Sequence, residues 1–174
     1  MRICIFLIHT AIVVSTATLC TAQAIPATAG ETLSGKHVVP SELIAGHEVI
    51  LVAGFSHDAG MQSGAWRKAA RADSALNGIP LYELAMLEKA PGMIRGMIKS
   101  GMRKGMPPAE QDLIIVLTRD QKLWEKFFSV ENDKDPYVVL LDAKGNVIWH
   151  GHGPAEQLEP LLKDALKRET DFSR

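Results

Sequence analysis

Short runs of consecutive apolar residues alternate along this chain with stretches of helix-forming composition. Such runs suit strands that are buried on both faces, because a strand with one solvated face alternates apolar and polar residues. The predicted strands are 48–55, 79–86, 112–117, 136–141 and 147–151, and the predicted helices are 61–76, 87–104, 120–128 and 154–169. This order predicts an α/β fold in which a mixed central sheet of about five strands is covered by helices on both faces.

The first 24 residues differ in composition from the rest of the chain. Arg2 precedes an almost entirely apolar stretch, and Ala22-Gln23-Ala24 has the small-x-small form that signal peptidase recognises. Residues 1–24 are therefore predicted to be a signal peptide for export to the periplasm or cell envelope. An uncleaved N-terminal membrane anchor is the alternative, since the apolar stretch is almost long enough to span a bilayer.

The remaining chain is interpreted as one domain preceded by a short linker. Residues 25–35 are rich in Ala, Thr and Gly, which predicts a flexible lead-in, and residues 36–170 form the predicted globular domain. With 47% hydrophobic residues and a net charge of -1, the composition is that of a globular protein and gives no reason to expect a nucleic-acid partner.

Both cysteines, Cys4 and Cys20, lie in the predicted signal peptide. A chain cleaved after residue 24 would contain no thiol, and thiol–disulfide exchange requires a thiolate as the attacking group. The sequence also contains no glycine-rich phosphate loop and no paired-carboxylate signature. We therefore assign no catalytic residue and no cofactor, and the sequence favours a protein that is not an enzyme.

The element order, with Asp135-Pro136 opening the fourth strand and an Asp-x-x-Gly turn at Asp142 closing it, resembles the thioredoxin superfamily. In those relatives the redox cysteines lie where the first central strand enters its helix. Here that segment reads Ser56-His57-Asp58-Ala59 and contains no cysteine. The resemblance implies a thioredoxin-like three-layer sandwich without the usual redox chemistry.

A closer resemblance is to the mitochondrial ATP synthase assembly factor family, the Atp-ten group, and its bacterial relatives. Those proteins are also cysteine-free, and Trp66 matches the aromatic residue of their first helix. They share an ending that is matched here by Val139-Leu140-Leu141-Asp142, Ile148-Trp149 and Gly153, followed by an acidic helix. The resemblance implies an assembly factor or chaperone that binds a subunit of a membrane complex.

Pro136 occupies the position of the cis-proline of thioredoxin-like folds. A cis bond there would turn the preceding backbone outward, so that it could pair with an extended peptide. The alternative is a trans proline at the start of a strand, where proline is tolerated. The resemblance implies a peptide-binding groove lined by six residues: His57, Trp66, Asp135, Pro136, His152 and Gly153.

The segment 86–106 combines methionines with basic residues. The residues assigned to a partner-binding or membrane-binding helix are Met93, Arg95, Met97, Lys99, Met102, Arg103 and Met106. Methionine adapts to varied apolar partners, and basic residues favour anionic lipid head groups. The alternatives are a methionine stripe that faces the core beside a solvated basic flank, and a thioether site for Cu(I).

Three histidines form the weaker hypothesis of a metal site. His150 and His152 leave the same face of one strand, and the resemblance places His57 near them. Neutral imidazoles bind zinc or copper, but a His-x-His pair at a strand end is also typical of a solvated surface.

Together these observations predict an exported, non-catalytic, thioredoxin-like binding protein. Its partner would be a protein client that presents an extended or apolar segment, with possible contact to the membrane surface. The alternatives are a divergent enzyme related to peroxiredoxins or thiol reductases, and a histidine-based copper carrier.

Overall fold

The computed structural model describes residues 24–44 and 46–172. Its strands are β1 (Gly30–Thr32), β2 (His37–Val38), β3 (Val49–Gly54), β4 (Leu81–Met86), β5 (Ile114–Leu117), β6 (Tyr137–Leu141) and β7 (Val147–His152). Its α-helices are α1 (His57–Ala72), α2 (Gly92–Lys104), α3 (Gln121–Phe127) and α4 (Ala155–Phe172). Short 3-10 helices, Pro40–Glu42 and Pro108–Leu113, lie in two of the connections.

The seven strands of the described residues form one sheet in the order β2-β1-β5-β4-β3-β6-β7. Strands β3, β4 and β5 are parallel, whereas β1, β6 and β7 pair antiparallel with their neighbours. The mixed sheet of the predicted α/β fold is therefore confirmed. It has seven strands rather than about five because β1 and β2, which precede the first predicted strand, extend it beyond β5.

Alternate residues of the central strands pack into two different hydrophobic layers, as the two-residue period of a strand requires. On one face, Ile50 of β3 lies in a buried cluster with Trp66 of α1 and Leu162 of α4. On the other face, Leu51 lies in a cluster with Trp124 of α3. The sheet is thus covered by helices on both faces, which explains why its strands read as continuous apolar runs.

The N-terminal part of the described chain belongs to the sheet. Residues 25–35 were expected to be flexible, but they contain β1, and Thr32 and Leu33 are buried. Thr28 is also buried, and its hydroxyl donates to the Asp120 carboxylate at 3.0 Å. The prediction of a flexible lead-in is wrong, because a three-residue strand is too short to show a periodic pattern in the sequence.

The predicted signal peptide and its alternative, an N-terminal anchor, lie outside the described residues. Within residues 24–44 and 46–172, no helix is both long and apolar enough to cross a membrane.

The connection from β3 to α1 requires a very close approach of two backbones. A Cβ atom added to Gly54 would lie 2.8 Å from the Gly60 nitrogen and 2.9 Å from its Cα. Atoms at these distances overlap, so α1 can rest on the end of β3 because residue 54 has no side chain.

We expect Gly54→Ala to lower the free energy of unfolding by roughly 1–3 kcal/mol, because the added methyl group must push α1 away from β3. Urea unfolding followed by circular dichroism measures the change. Gly60→Ala is the matched control, since its Cβ meets no atom of another element within 4 Å. That variant should be up to about 1 kcal/mol more stable, because alanine favours a helix over glycine. Equal stability of the two variants would contradict the close contact.

Candidate functional site

The first turn of α1 lies where thioredoxin-like redox proteins carry their cysteines. Helix α1 begins at His57, four residues before the predicted start, because the Ser56 hydroxyl accepts a hydrogen bond from the Ala59 N–H at 3.2 Å and caps the helix. His57 and Asp58 are exposed in this first turn. The turn therefore presents a capped helix end and an imidazole, but no thiol.

Three residues of the predicted peptide groove are buried beneath the surface. Trp66 is 0% exposed, and its indole Nε1 donates to the Gly153 carbonyl at 3.1 Å. Gly153 has a φ of 123°, a conformation that glycine adopts without strain. Pro136 is also buried. These residues join α1 to the end of β7 and support this corner of the fold, so they do not line a groove.

The Asp135–Pro136 peptide bond is trans, since the described residues contain no cis peptide bond. The expectation of a cis bond at this position is wrong, and trans is the intrinsically favoured isomer of an X–Pro bond. The Pro136 carbonyl accepts a hydrogen bond from the Gly153 N–H at 2.9 Å. This carbonyl is therefore occupied within the fold, which removes one of the backbone groups that an extended peptide would need.

Asp135 and His152, also predicted to line the groove, do lie together. The His152 Nδ1 lies 3.3 Å from an Asp135 carboxylate oxygen. The imidazole stacks on the Tyr137 ring with a centroid distance of 5.2 Å. The Tyr137 hydroxyl in turn donates to the Asn132 carbonyl at 2.9 Å. These contacts stabilise the turn before β6. The His152 imidazole lies at the edge of the cluster and is half-exposed.

The described residues hold no group of three or more His, Cys, Asp or Glu side chains that could bind a metal ion. His57, His150 and His152 therefore do not form the metal site of the weaker hypothesis. His152 is engaged with Asp135, and His57 lines a different part of the surface.

A cleft of about 620 Å³ lies between α1 and α2, at the C-terminal ends of β3 and β4. Its lining is mainly apolar, with residues contributed by both helices and by the ends of the strands between them. The principal apolar residues of the lining are Phe55, Met61, Leu84, Met86, Leu87, Ile98 and Met102. A few polar residues, His57, Glu83 and Lys89 among them, also line it. A cleft of this volume and composition is typical of binding sites.

The one acidic residue of the cleft is held by an ion pair. Glu83 of β4 is 5% exposed, and its Oε2 atom lies 2.5 Å from Nη1 of Arg67 on α1. Arg67 also approaches Glu110 at 3.5 Å. Burial nevertheless raises the pKa of the Glu83 carboxyl, and the attraction of Arg67 offsets this in part. Burial therefore disfavours the ionised form of Glu83, and the ion pair with Arg67 compensates part of that cost.

Three basic residues of α2 bind acceptors in the body of the protein. Lys99 lies 2.6 Å from the Glu31 carboxylate, and the Arg103 Nε donates to the Leu33 carbonyl at 2.6 Å. Arg95 donates to the carbonyls of Glu88 and Ala90, both at 2.7 Å. These three residues differ from a freely solvated basic flank in that each binds a specific acceptor, although Arg103 is still exposed.

The methionines of this segment fall into two groups. Met102 and Met106 are half-buried and pack against the cluster of Leu33, Ile114 and Val116. Met93 and Met97 are 92% and 73% exposed. One pair therefore faces the core, as one of the sequence-based alternatives expected, and the other pair faces solvent.

The sequence analysis did not predict the cleft, although one residue of the sequence indicates it. Glu83 interrupts an otherwise apolar strand at a position that faces α1, and a charge there requires a partner or a nearby opening. The lining residues Met61, Ile98 and Gly101 carry no comparable signal.

The strand order of the mixed sheet, with α1 following the central strand β3, is that of a thioredoxin-like fold. Solved structures of thioredoxin-like proteins match the chain over most of its length with high probability. The sequence matches no family model and no curated protein sequence. The resemblance to the ATP synthase assembly factor family is therefore not supported by a match.

Three of the matching structures illustrate the likeness. The exposed lipoprotein thioredoxin Etrx1 of Streptococcus pneumoniae is 16% identical, with a TM-score of 0.52, and the match covers 83% of this chain and 97% of that one. A protein of Chlorobium tepidum assigned as thiol:disulfide interchange protein DsbE is 17% identical, with a TM-score of 0.53 and coverage of 86% and 94%. Copper-bound ScoI of Arabidopsis thaliana is 13% identical, with a TM-score of 0.53 and coverage of 84% and 99%. Identities this low show a shared fold and nothing further.

The raised pKa of Glu83 predicts a specific pH dependence of stability. The folded protein keeps the Glu83 proton to a higher pH than the unfolded chain, whose carboxyl has a pKa of 4.5. The contribution of Glu83 to the free energy of unfolding should therefore fall as the pH rises above 4.5 through the raised pKa. Urea unfolding of the wild type and of Glu83→Gln at about pH 4 and about pH 7 isolates this contribution. We expect the wild type to lose stability relative to the variant, and a relative gain would show that the Arg67 ion pair outweighs burial.

Proposed function

We propose that this protein is a non-catalytic binding protein of the cell envelope that holds an apolar segment of a client protein in the cleft between α1 and α2. The observation that carries the proposal is an apolar cleft between two helices that both carry exposed methionines, in a thioredoxin-like fold. In place of the redox cysteines, the first turn of α1 presents Ser56 and His57. Shape and apolar contact are the means of recognition that this arrangement offers.

Four of the large exposed apolar side chains among the described residues lie on α1 and α2, the helices that form the walls of the cleft. Met61 lines the cleft itself, and the three on α2 lie outside its lining. Met61 of α1 is 71% exposed, and on α2 Met93 is 92%, Ile94 43% and Met97 73% exposed. Large exposed apolar groups in one region mark an interaction surface. Methionine side chains are flexible and polarisable, so such a surface can adapt to clients of different shape.

The geometry of α2 favours a protein over a lipid surface as the partner. Attraction to anionic head groups needs cations that are free to face the membrane beside the apolar residues. Arg95, Lys99 and Arg103 instead bind Ala90, Glu31 and Leu33 within the fold. The exposed methionines therefore point to contact with apolar side chains of another protein.

The proposed location and client rest on further observations. The apolar N-terminal stretch with its Ala22-Gln23-Ala24 site supports export, and one neighbour in fold is described as an exposed lipoprotein. The resemblance of Trp66, Ile148-Trp149 and Gly153 to the ATP synthase assembly factor family supports a membrane-complex subunit as the client. The protein would then act as an assembly factor or chaperone.

The proposal predicts that the protein suppresses the aggregation of an unfolding reporter protein, measured by light scattering. The double variant Met93→Gln/Met97→Gln should lose most of this activity, because it removes two exposed apolar side chains of α2, the helix that forms one wall of the cleft, while leaving the buried core intact. Both side chains are largely solvent-exposed, so the free energy of unfolding should change by less than about 0.5 kcal/mol for each.

The matched control is Leu123→Gln/Leu161→Gln, which alters two other exposed apolar side chains, 55% and 53% exposed, on α3 and α4. This control should retain the wild-type activity. Equal loss in the two double variants would mean that general surface hydrophobicity acts rather than the cleft, and the proposed site would then be wrong.

A divergent enzyme and a metal carrier are the competing functions, and the same purified protein distinguishes them. We expect no turnover with peroxide or with insulin disulfides as substrate, because a thiolate is required for both reactions. We also expect no stoichiometric copper or zinc by elemental analysis. Turnover that persists in Cys4→Ser/Cys20→Ser would establish an enzyme of different chemistry. Bound metal that is lost in His150→Ala/His152→Ala would establish a carrier.

A further inference from the structure

We propose that the segment held in the cleft is an α-helix of the client, bound through its apolar face, and not an extended peptide. This inference rests on the proposed function and specifies the kind of partner that the same site accepts. It follows from the backbone hydrogen bonds of the cleft itself.

The strand beneath the cleft has no edge to which a peptide could add. Strand β4 pairs with β3 on one side and with β5 on the other, and both pairings are parallel. Leu84 lies opposite both Ala53 and Ile115, and Ala85 lies opposite both Gly54 and Val116. An extended ligand binds a sheet by pairing with an unpaired strand edge, so this floor cannot hold one in that way.

The walls of the cleft are helices, whose interior backbone groups bond within the helix. At the first turn of α1, where N–H groups are free in an uncapped helix, the Ser56 hydroxyl already accepts from the Ala59 N–H and the Ser56 carbonyl accepts from the Gly60 N–H. The Pro136 carbonyl lies at the predicted peptide groove, but it already accepts a hydrogen bond from the Gly153 N–H. It is therefore not available to an extended peptide.

An extended segment placed in this cleft would therefore leave its own N–H and C=O groups without partners in an apolar surrounding. Such groups are costly to bury. A helix satisfies its backbone internally and presents only side chains, which is the mode by which amphipathic helices occupy apolar grooves. The occupant that fits is a helix with apolar residues at i, i+3, i+4 and i+7.

Two glycines in opposite walls leave room for a helix backbone to approach. Gly60 of α1 and Gly101 of α2 both line the cleft, and a Cβ added to either would meet no atom of another element within 4 Å. Larger residues at these positions would narrow the cleft from both sides.

Positive charges beside the C-terminal ends of β3 and β4 set the direction of the bound helix. Lys89 follows β4 and lines the cleft; its side chain is 69% exposed and lies 3.3 Å from Glu125. The N-terminus of α1, with its partial positive charge, follows β3, which is the parallel neighbour of β4, so it lies at the same edge of the sheet. The C-terminal end of the client helix, which carries the opposite partial charge, should lie at this edge.

The test uses two fluorescein-labelled peptides of 18 residues and identical composition, with leucines at i, i+3, i+4 and i+7 on one face and Gln and Ser on the other. One is helical, and the other has three residues replaced by their D-enantiomers, which prevents a right-handed helix. Fluorescence anisotropy with the full protein should show binding of the helical peptide that is at least about tenfold tighter.

The variant Gly101→Leu fills the cleft from α2 and should weaken binding of the helical peptide at least about tenfold. Gly96→Leu is the matched control, because Gly96 lies in the same helix but outside the lining of the cleft, and its Cβ also meets open space. Both changes raise helix propensity, so both variants should fold. Lys89→Glu should weaken binding, whereas Lys122→Glu on α3 should not.

Each outcome decides between the two proposals. If the D-substituted peptide binds as tightly as the helical one, the helical occupant is wrong and the binding function stands. The same conclusion follows if neither peptide binds but Met93→Gln/Met97→Gln still reduces the suppression of aggregation. If Gly101→Leu and Gly96→Leu bind the helical peptide equally, the cleft is not the binding site and both proposals fail.

Discussion

The structure depends on the burial of β3 between two helical layers. All six residues from Val49 to Gly54 are buried, and they pair with β4 on one side and β6 on the other. Because alternate side chains enter different clusters, this one strand joins the layer of α1 and α4 to the layer of α3. Its last residue, Gly54, lets α1 rest directly on the sheet. The position of α1 then fixes one wall of the cleft. It also fixes the corner at the end of β7, where Trp66 of α1 bonds to Gly153.

In thioredoxin-like redox proteins the N-terminal end of α1 carries the reactive cysteines, and here that end contains no cysteine. The two sides of this helix end differ in how tightly their residues are bound within the fold. On the side of β6 and β7, Trp66 and Pro136 engage Gly153 in fixed hydrogen bonds, so that corner is structural. On the side of β4, α2 is tied to the sheet by Lys99, Met102 and Arg103, but none of its residues is fully buried. The proposed binding surface therefore lies on the side opposite to the one that a thioredoxin-like peptide groove would use.

Helix α2 shows how a sequence pattern can be correct in composition and wrong in orientation. The mixture of methionines and basic residues suggested one surface bearing both. In the structure, Lys99 and Arg103 anchor the helix to β1 and the residue after it, while Met93 and Met97 face solvent. The acceptors of those cations, Glu31 and the Leu33 carbonyl, lie about 70 residues earlier in the chain. A local pattern carries no information about partners so distant, and the glycines of α2 obscure which face is apolar.

The sequence by itself determined the α/β order, the central buried strands, the helices between them, the turn at Asp142 and the absence of cysteine after residue 20. These follow from local periodicity, turn chemistry and composition, which need no knowledge of distant contacts. The tertiary structure decided the trans bond at Pro136, the burial of Trp66, the two short strands that extend the sheet and the cleft beneath α2. Each of these depends on which distant residues meet: Gly153 with Pro136 and Trp66, β1 with β5, and Arg67 with Glu83. Long-range packing selects among conformations that the local sequence permits equally.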